Sequence, residues 1–164
     1  MIESPLGVLQ AFAIAVHPMV SCLVMGTADL AKEMRVQIRG AKRANLHFAL
    51  QSVILAARAA QVTVLDGVYG QFKDEEGFLT QCQEGAELGF DGKTLIHPSQ
   101  VAVANRLFLP AEEEVVFARR VVAAWQHAYE RGEEICVVDG RMIERLHAQD
   151  ALRLISLWEK ANAT

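Results

Sequence analysis

Cysteine is scarce in this chain. Cys22, Cys82 and Cys136 are odd in number, far apart and free of any CxxC pair. That pattern argues against a disulfide framework or a thiolate zinc site and favours reduced thiols in a cytoplasmic setting. The five histidines form no HxxxH pair. No apolar run approaches the ~20 residues a membrane-crossing helix needs. The opening MIESPLGVLQ lacks the basic-then-apolar profile of a secretion signal. Neither an internal repeat at solenoid spacing nor a low-complexity linker is present. Charge of one sign is also in short supply, with a net of −4. A balance so close to neutral gives no reason to expect nucleic acid or an anionic membrane as partner.

The chain does have enough material for a core. It is 164 residues long, 52% hydrophobic and 22% charged, the profile of a folded domain. Apolar spacing predicts a helix over 6–16, stopped by Pro18, then a buried strand over 19–25. Gly26 to Asp29 turn the chain into a short helix or loop over 30–34. The basic residues Arg35, Arg39, Lys42 and Arg43 that follow read as surface. Asn45 is a plausible N-cap for a long helix to about Ala60, with Leu46, Ala49, Leu50, Val53, Ile54 and Ala57 as its apolar stripe. A strand over 62–65 ends at Asp66, and a loop leads to a helix over 75–88. Gly89 ends that helix, Asp91-Gly92 turn, and 93–96 reads as a short strand. His97-Pro98-Ser99 then open a helix to about Leu107, with Pro tolerated in its first turn. Three acids, Glu112 to Glu114, favour a helix start at about 111, and Gly132 ends that helix. Asp139-Gly140 joins strands over 135–138 and 141–143 as a two-residue hairpin, and a last helix covers about 146–160.

Alternating strands and helices predict a parallel α/β sheet. A closed (β/α)8 barrel takes about 250 residues, so the chain reads as part of a barrel over 1–110 and a helical and hairpin segment over 111–164. Glu3, Asp29 and Asp66 each fall where a strand gives way to a loop, the edge at which such folds build sites. Two carboxylates with no nearby Cys or His suit a hard, oxygen-preferring ion such as Mg2+. The plainer alternative makes them turn caps and solvated charges. His97 invites a general-base role, because an unperturbed imidazole titrates near neutral pH, yet a histidine before proline at a strand-helix junction more often fixes the turn by hydrogen bonding.

Five stretches resemble the citrate lyase beta-subunit family, the HpcH/HpaI-type aldolases acting on CoA esters. They are IESPLGVLQAFAIA, LVMGTADLAKEM, VLDGVYGQFKDEEGF, GFDGKTLIHPSQ and VVDGRMIERLH. The resemblance implies the C-terminal part of a TIM (β/α)8 barrel, about half a barrel, followed by a C-terminal lid. It implies Mg2+ held by Glu3 and Asp29, with Glu3 also touching substrate and Asp66, in its usual place, counted among the substrate-binding residues. His97 is assigned to the CoA side of the pocket. Where the family often carries an acid, this chain has Gln71. In VVDGRMIERLH the lid acid, usually aspartate, is Glu144, which in the family reaches a neighbouring subunit's site as acid/base. A homo-oligomer is therefore expected. No counterpart is found for the family's early-strand arginine that grips the substrate carboxylate.

The implied activity is cleavage of a malyl-, citramalyl- or citryl-CoA type thioester into an acyl-CoA and a 2-oxo acid. A chain holding only part of the family's length is expected to turn over little in isolation. Hydrolysis of malyl-CoA at the same metal site, and a non-catalytic half-barrel assembly module, remain alternatives. An aldolase acting on free 2-oxo acids is a further one, which the lid motif around Met142 argues against.

Overall fold

The computed structural model describes every residue except Arg39, Ala41 and Thr164. The expected surface position of Arg39 lies outside the described residues. The chain forms two compact units, Met1–Phe108 and Leu109–Thr164.

In the first unit the central sheet is parallel, in the order β1 (Cys22–Val24), β2 (Thr63–Asp66), β3 (Gly92–Lys93). Cys22 pairs with Thr63 and Leu65 with Gly92. Ile2 adds a parallel bridge to Met25 on the far side of β1, donating to Val24 O and accepting from Gly26 N. All four strand segments thus end at one edge. Between them run α1 (Pro5–Leu9) and α2 (Ala11–Ala15), then α3 (Thr27–Glu33) and α4 (His47–Ala60), then α5 (Glu75–Leu88). A 3-10 turn at Pro98–Gln100 and α6 (Val101–Phe108) follow β3.

The core forms where the helix stripe meets the sheet. Leu46, Ala49, Leu50, Val53, Ile54 and Ala57, the stripe read from the sequence, are all buried, together with Leu23, Met25, Leu30 and Val64. Spacing of three and four residues puts them on one face of α4. A second cluster of Tyr69, Phe78, Cys82 and Ala104 packs α5 against α6.

Four expectations need correction here. The buried strand over 19–25 narrows to Cys22–Val24, with Met19 exposed in the preceding turn. The helix over 6–16 is interrupted at Gln10, which takes non-helical angles and serves both as the end of α1 and the start of α2. The strand over 93–96 stops at Lys93, because Ile96 N donates to the Gln100 side chain instead of a neighbouring strand. Asn45 lies within a 3-10 turn, Ala44–Leu46, and its amide donates to Gln37 O, so it does not cap α4.

The second unit contains α7 (Glu112–Glu130), the hairpin β4 (Cys136–Val138) and β5 (Arg141–Ile143), and α8 (Arg145–Ala161). Asp139 and Gly140 have φ of 50° and 75°. Positive φ at both central residues is the requirement of the tight turn that Asp-Gly favours. Ala118, Val121, Val138, Ile143 and Ala151 form its own core.

Candidate functional site

Four of the five residues singled out by sequence lie in the first unit at the C-terminal edge of its sheet. Glu3 follows the Ile2 bridge, Asp29 follows β1, Asp66 closes β2 and His97 follows β3. Glu144 belongs to the second unit.

Glu3 and Asp29 are exposed carboxylates. Gly26 explains how the first is seated: a Cβ on it would lie 2.5 Å from Glu3 Cβ and 2.9 Å from Glu3 Oε2. The Glu3 side chain therefore rests on the residue that caps α3, and Asp29 sits in the first turn of that helix. Only glycine leaves that space open. Two oxygen donors beside a backbone cradle, with water free to fill other positions, fit a hard cation such as Mg2+. Among the described residues, no three His, Cys, Asp or Glu side chains gather into a metal-binding group, so an ion held here would keep waters or substrate oxygens.

Asp66 is different. It is fully buried, and its Oδ1 accepts from Arg43 Nη1 at 2.6 Å and from Gly67 N at 2.7 Å. Its Oδ2 accepts from Lys93 Nζ at 2.7 Å. Lys93 also donates to Gly67 O and Gln81 Oε1, and Arg43 Nε donates to Glu84 Oε2 at 2.7 Å. Glu84 in turn lies 2.8 Å from His47 Nε2. Gly85 makes room for this hub, since a Cβ there would meet Asp66 Oδ2 at 3.0 Å. Sequence reading put Arg43 on the surface; it is 1% exposed. Its charge survives burial because two carboxylates pair with it.

Burial pulls the Lys93 ammonium below its usual range, against the opposing pull of Asp66. Burial raises the carboxyl of Glu84, but hydrogen bonds from His47 and Arg43 outweigh it and leave the group below the ordinary glutamate range. The Cys82 thiol, buried beside the hub, is pushed up to about 11, which makes it inert as a nucleophile at neutral pH. With its carboxylate committed to internal ion pairs and a backbone cap, Asp66 acts as the brace of the sheet edge. Gly67 brings the hub close to the turn between β1 and α3: a Cβ on it would meet Met25 O at 2.7 Å and Thr27 Oγ1 at 2.9 Å.

His97 caps the 3-10 turn: its Nδ1 accepts from Ser99 N at 3.2 Å and lies 2.8 Å from Ser99 Oγ. Its ring also stacks on Phe72, an aromatic that sequence reading passed over. In the second unit, Glu144 is half-buried at the start of α8, and its backbone N–H donates to His147 Nδ1 at 3.0 Å. Beside it, a groove of about 760 Å3 lined by Phe117, Met142 and Leu146 contains none of the sheet-edge carboxylates.

A parallel sheet carrying free carboxylates at its C-terminal edge defines the class as an α/β-barrel type of site. The comparisons specify it further. The family model described as HpcH/HpaI aldolase/citrate lyase matches residues 1–98. A (3S)-malyl-CoA thioesterase of Cereibacter sphaeroides is 45% identical over 95% of this chain and 54% of its own length. The citrate lyase subunit beta of Escherichia coli is 36% identical over 87% of this chain and 47% of its own length. Among solved structures, the CitE protein of Mycobacterium tuberculosis in complex with magnesium, acetoacetate and coenzyme A aligns with a TM-score of 0.73 and 27% identity. That alignment covers 94% of this chain and 59% of CitE. The chain belongs to the HpcH/HpaI aldolase/citrate lyase family. It spans about half the length of the curated relatives it matches, and its first unit is the C-terminal part of a TIM barrel.

Proposed function

We propose that this chain carries the metal-holding part of a site that acts on a malyl-CoA type thioester. The observation that carries this reading is the seating of Glu3 over Gly26, the residue that caps α3, with Asp29 in the first turn of that helix. Glu3 and Asp29 would hold Mg2+, which when bound supplies Lewis acidity to a substrate oxygen. The CitE relative crystallised with magnesium and coenzyme A supports both the ion and the CoA ligand. The buried Asp66 hub keeps the loops after β1 and β2 in one position, so that the acidic pair is preorganised. Glu144, in the segment resembling the family's lid, is the proposed proton donor or acceptor, acting within an assembly of like chains.

Two outcomes share this site. Cleavage of the carbon–carbon bond of malyl-CoA gives acetyl-CoA and glyoxylate, and an acid then protonates the thioester enolate carbon. The relatives named citrate lyase subunit beta and L-malyl-CoA/beta-methylmalyl-CoA lyase support this outcome at 36% and 34% identity. Hydrolysis of the thioester gives malate and free CoA thiol, and the 45% identical thioesterase supports that one. Incubating the protein with malyl-CoA and Mg2+ while following glyoxylate and free thiol separates them. Glyoxylate without thiol assigns the lyase, and thiol without glyoxylate assigns the thioesterase. Malyl-CoA binding that is indifferent to Mg2+ and to Glu3→Ala would contradict the site.

A further inference from the structure

A parallel sheet is ordinarily covered on both faces. The sheet of the first unit is covered on one. Leu23, Met25 and Val64 turn toward α4 and are buried in the main core. The residues that alternate with them, Cys22, Val24 and Leu65, point to the opposite face and are only half-buried, and Thr63 is exposed. Pairing aligns them, with Cys22 beside Thr63, and Val24, Leu65 and Gly92 side by side. An apolar face of this kind lines the interior of a barrel when the sheet closes on itself.

Both edges of the sheet are open as well. Ile2 spends its backbone N–H and C=O on the β1 side, and among the described residues the backbone groups of Glu3 meet no backbone partner. At the other end, β3 pairs with β2 alone. Open rows of this kind are templates for another strand. An apolar helix flank lies beside the Ile2 edge. Val8, Ala11 and Ala15 face the core, whereas Leu6, Leu9, Phe12 and Val16, at steps of three and four residues, are all more than half exposed. A contiguous stripe of large apolar side chains marks a contact surface.

We propose that a second copy of this chain covers the bare face and both edges, so that two half-barrels close into one barrel. The strand count decides the partner. The Ile2 segment, β1, β2 and β3 are four parallel positions, half the strands of a (β/α)8 barrel. A two-fold axis along the barrel sets the Ile2 edge of each copy against the β3 edge of the other and keeps every strand parallel. The same pair of surfaces then meets twice, as a closed two-fold dimer requires. At each seam α6 of one copy lies beside α1 and α2 of the other, which brings Val101, 44% exposed, toward the apolar stripe. Closure also completes the site. Glu3, at the open edge, comes to stand beside the β3 end of the second copy, and one barrel mouth holds two acidic pairs. The proposal stands whichever reaction the site performs.

Sedimentation velocity of the full chain over a range of concentrations tests it, and a dimer is expected. Val24→Asp puts a charge on the bare face and Leu9→Glu puts one on the stripe; neither side chain belongs to the core of the single copy. Each is expected to weaken the dimer by about tenfold or more, because a charge would be buried without a partner, with the helical circular dichroism kept. Should Val24→Asp fail to fold, Leu9→Glu, on an exposed helix flank, decides alone. Leu146→Glu, an exposed position of the second unit, is expected to leave the dimer intact. A wild-type monomer, an assembly with an odd number of copies, a dimer unaffected by Leu9→Glu, or one lost in Leu146→Glu overturns the proposal. Dimerisation without malyl-CoA turnover supports the closure and counts against the proposed reaction alone.

Discussion

Two kinds of carboxylate share the sheet edge, and their surroundings separate their roles. Asp66 is sealed between Arg43 and Lys93, whereas Glu3 and Asp29 face solvent. Removing one member of a buried charge cluster leaves the others uncompensated, a loss of about 3–5 kcal/mol. Asp66→Ala is therefore expected to lose that much in urea unfolding, and a loss below about 1 kcal/mol, the scale of an exposed pair, would contradict the brace. Gly26→Ala tests the other pair. Its backbone, at φ −104°, accepts alanine, but the new methyl would displace Glu3. Mg2+ affinity is expected to fall about tenfold, the range seen when ligand-orienting contacts are disturbed, with the fold retained by circular dichroism. The sheet-edge positions of Glu3 and Asp29 were legible in the sequence because each follows a strand segment and sits in a family-like stretch. The hub was not, because its partners are 23, 27 and 41 residues apart and ion pairs leave no local period. Arg43 was hidden among basic neighbours. The one signal available was Lys93, a charged residue at the start of the strand read over 93–96.

Helices and strands were read well where one face is apolar and poorly where side chains redirect the backbone. The stripe of α4 is a period that burial reproduces. The shortened β3 and the turn at Asn45 are decided by side-chain amides, Gln100 to Ile96 N and Asn45 to Gln37 O, which no hydropathy pattern reports. The start of α5 offers a test at this scale. Asp74 caps it by accepting from Gly77 N, and it also holds the Tyr69 hydroxyl. Burial and that hydrogen bond push the Tyr69 phenol up to about 12. Asp74→Ala is expected to cost about 1 kcal/mol in thermal unfolding, the usual value of an N-cap. It should also bring the Tyr69 phenol closer to its ordinary value, read from phenolate absorbance in alkaline titration. An unchanged phenol titration would separate Tyr69 from the cap.

At the scale of the molecule, a half-barrel unit and a helix-and-hairpin unit each have their own core. Among the described residues, no helix is long and apolar enough to cross a membrane. The order of strands and helices made the parallel sheet legible, and the chain's length against that of a closed barrel made its partial extent legible. The packing of Phe72 on His97 was not, because two residues 25 positions apart in separate loops carry no shared motif. The central proposal is that the sheet edge binds Mg2+ through Glu3 and Asp29. Calorimetric titration of the chain with Mg2+ tests it most directly. Binding by the wild-type chain, abolished in both Glu3→Ala and Asp29→Ala while the fold is kept, is the predicted result. No binding by the wild type, or binding unchanged in the two variants, would contradict it.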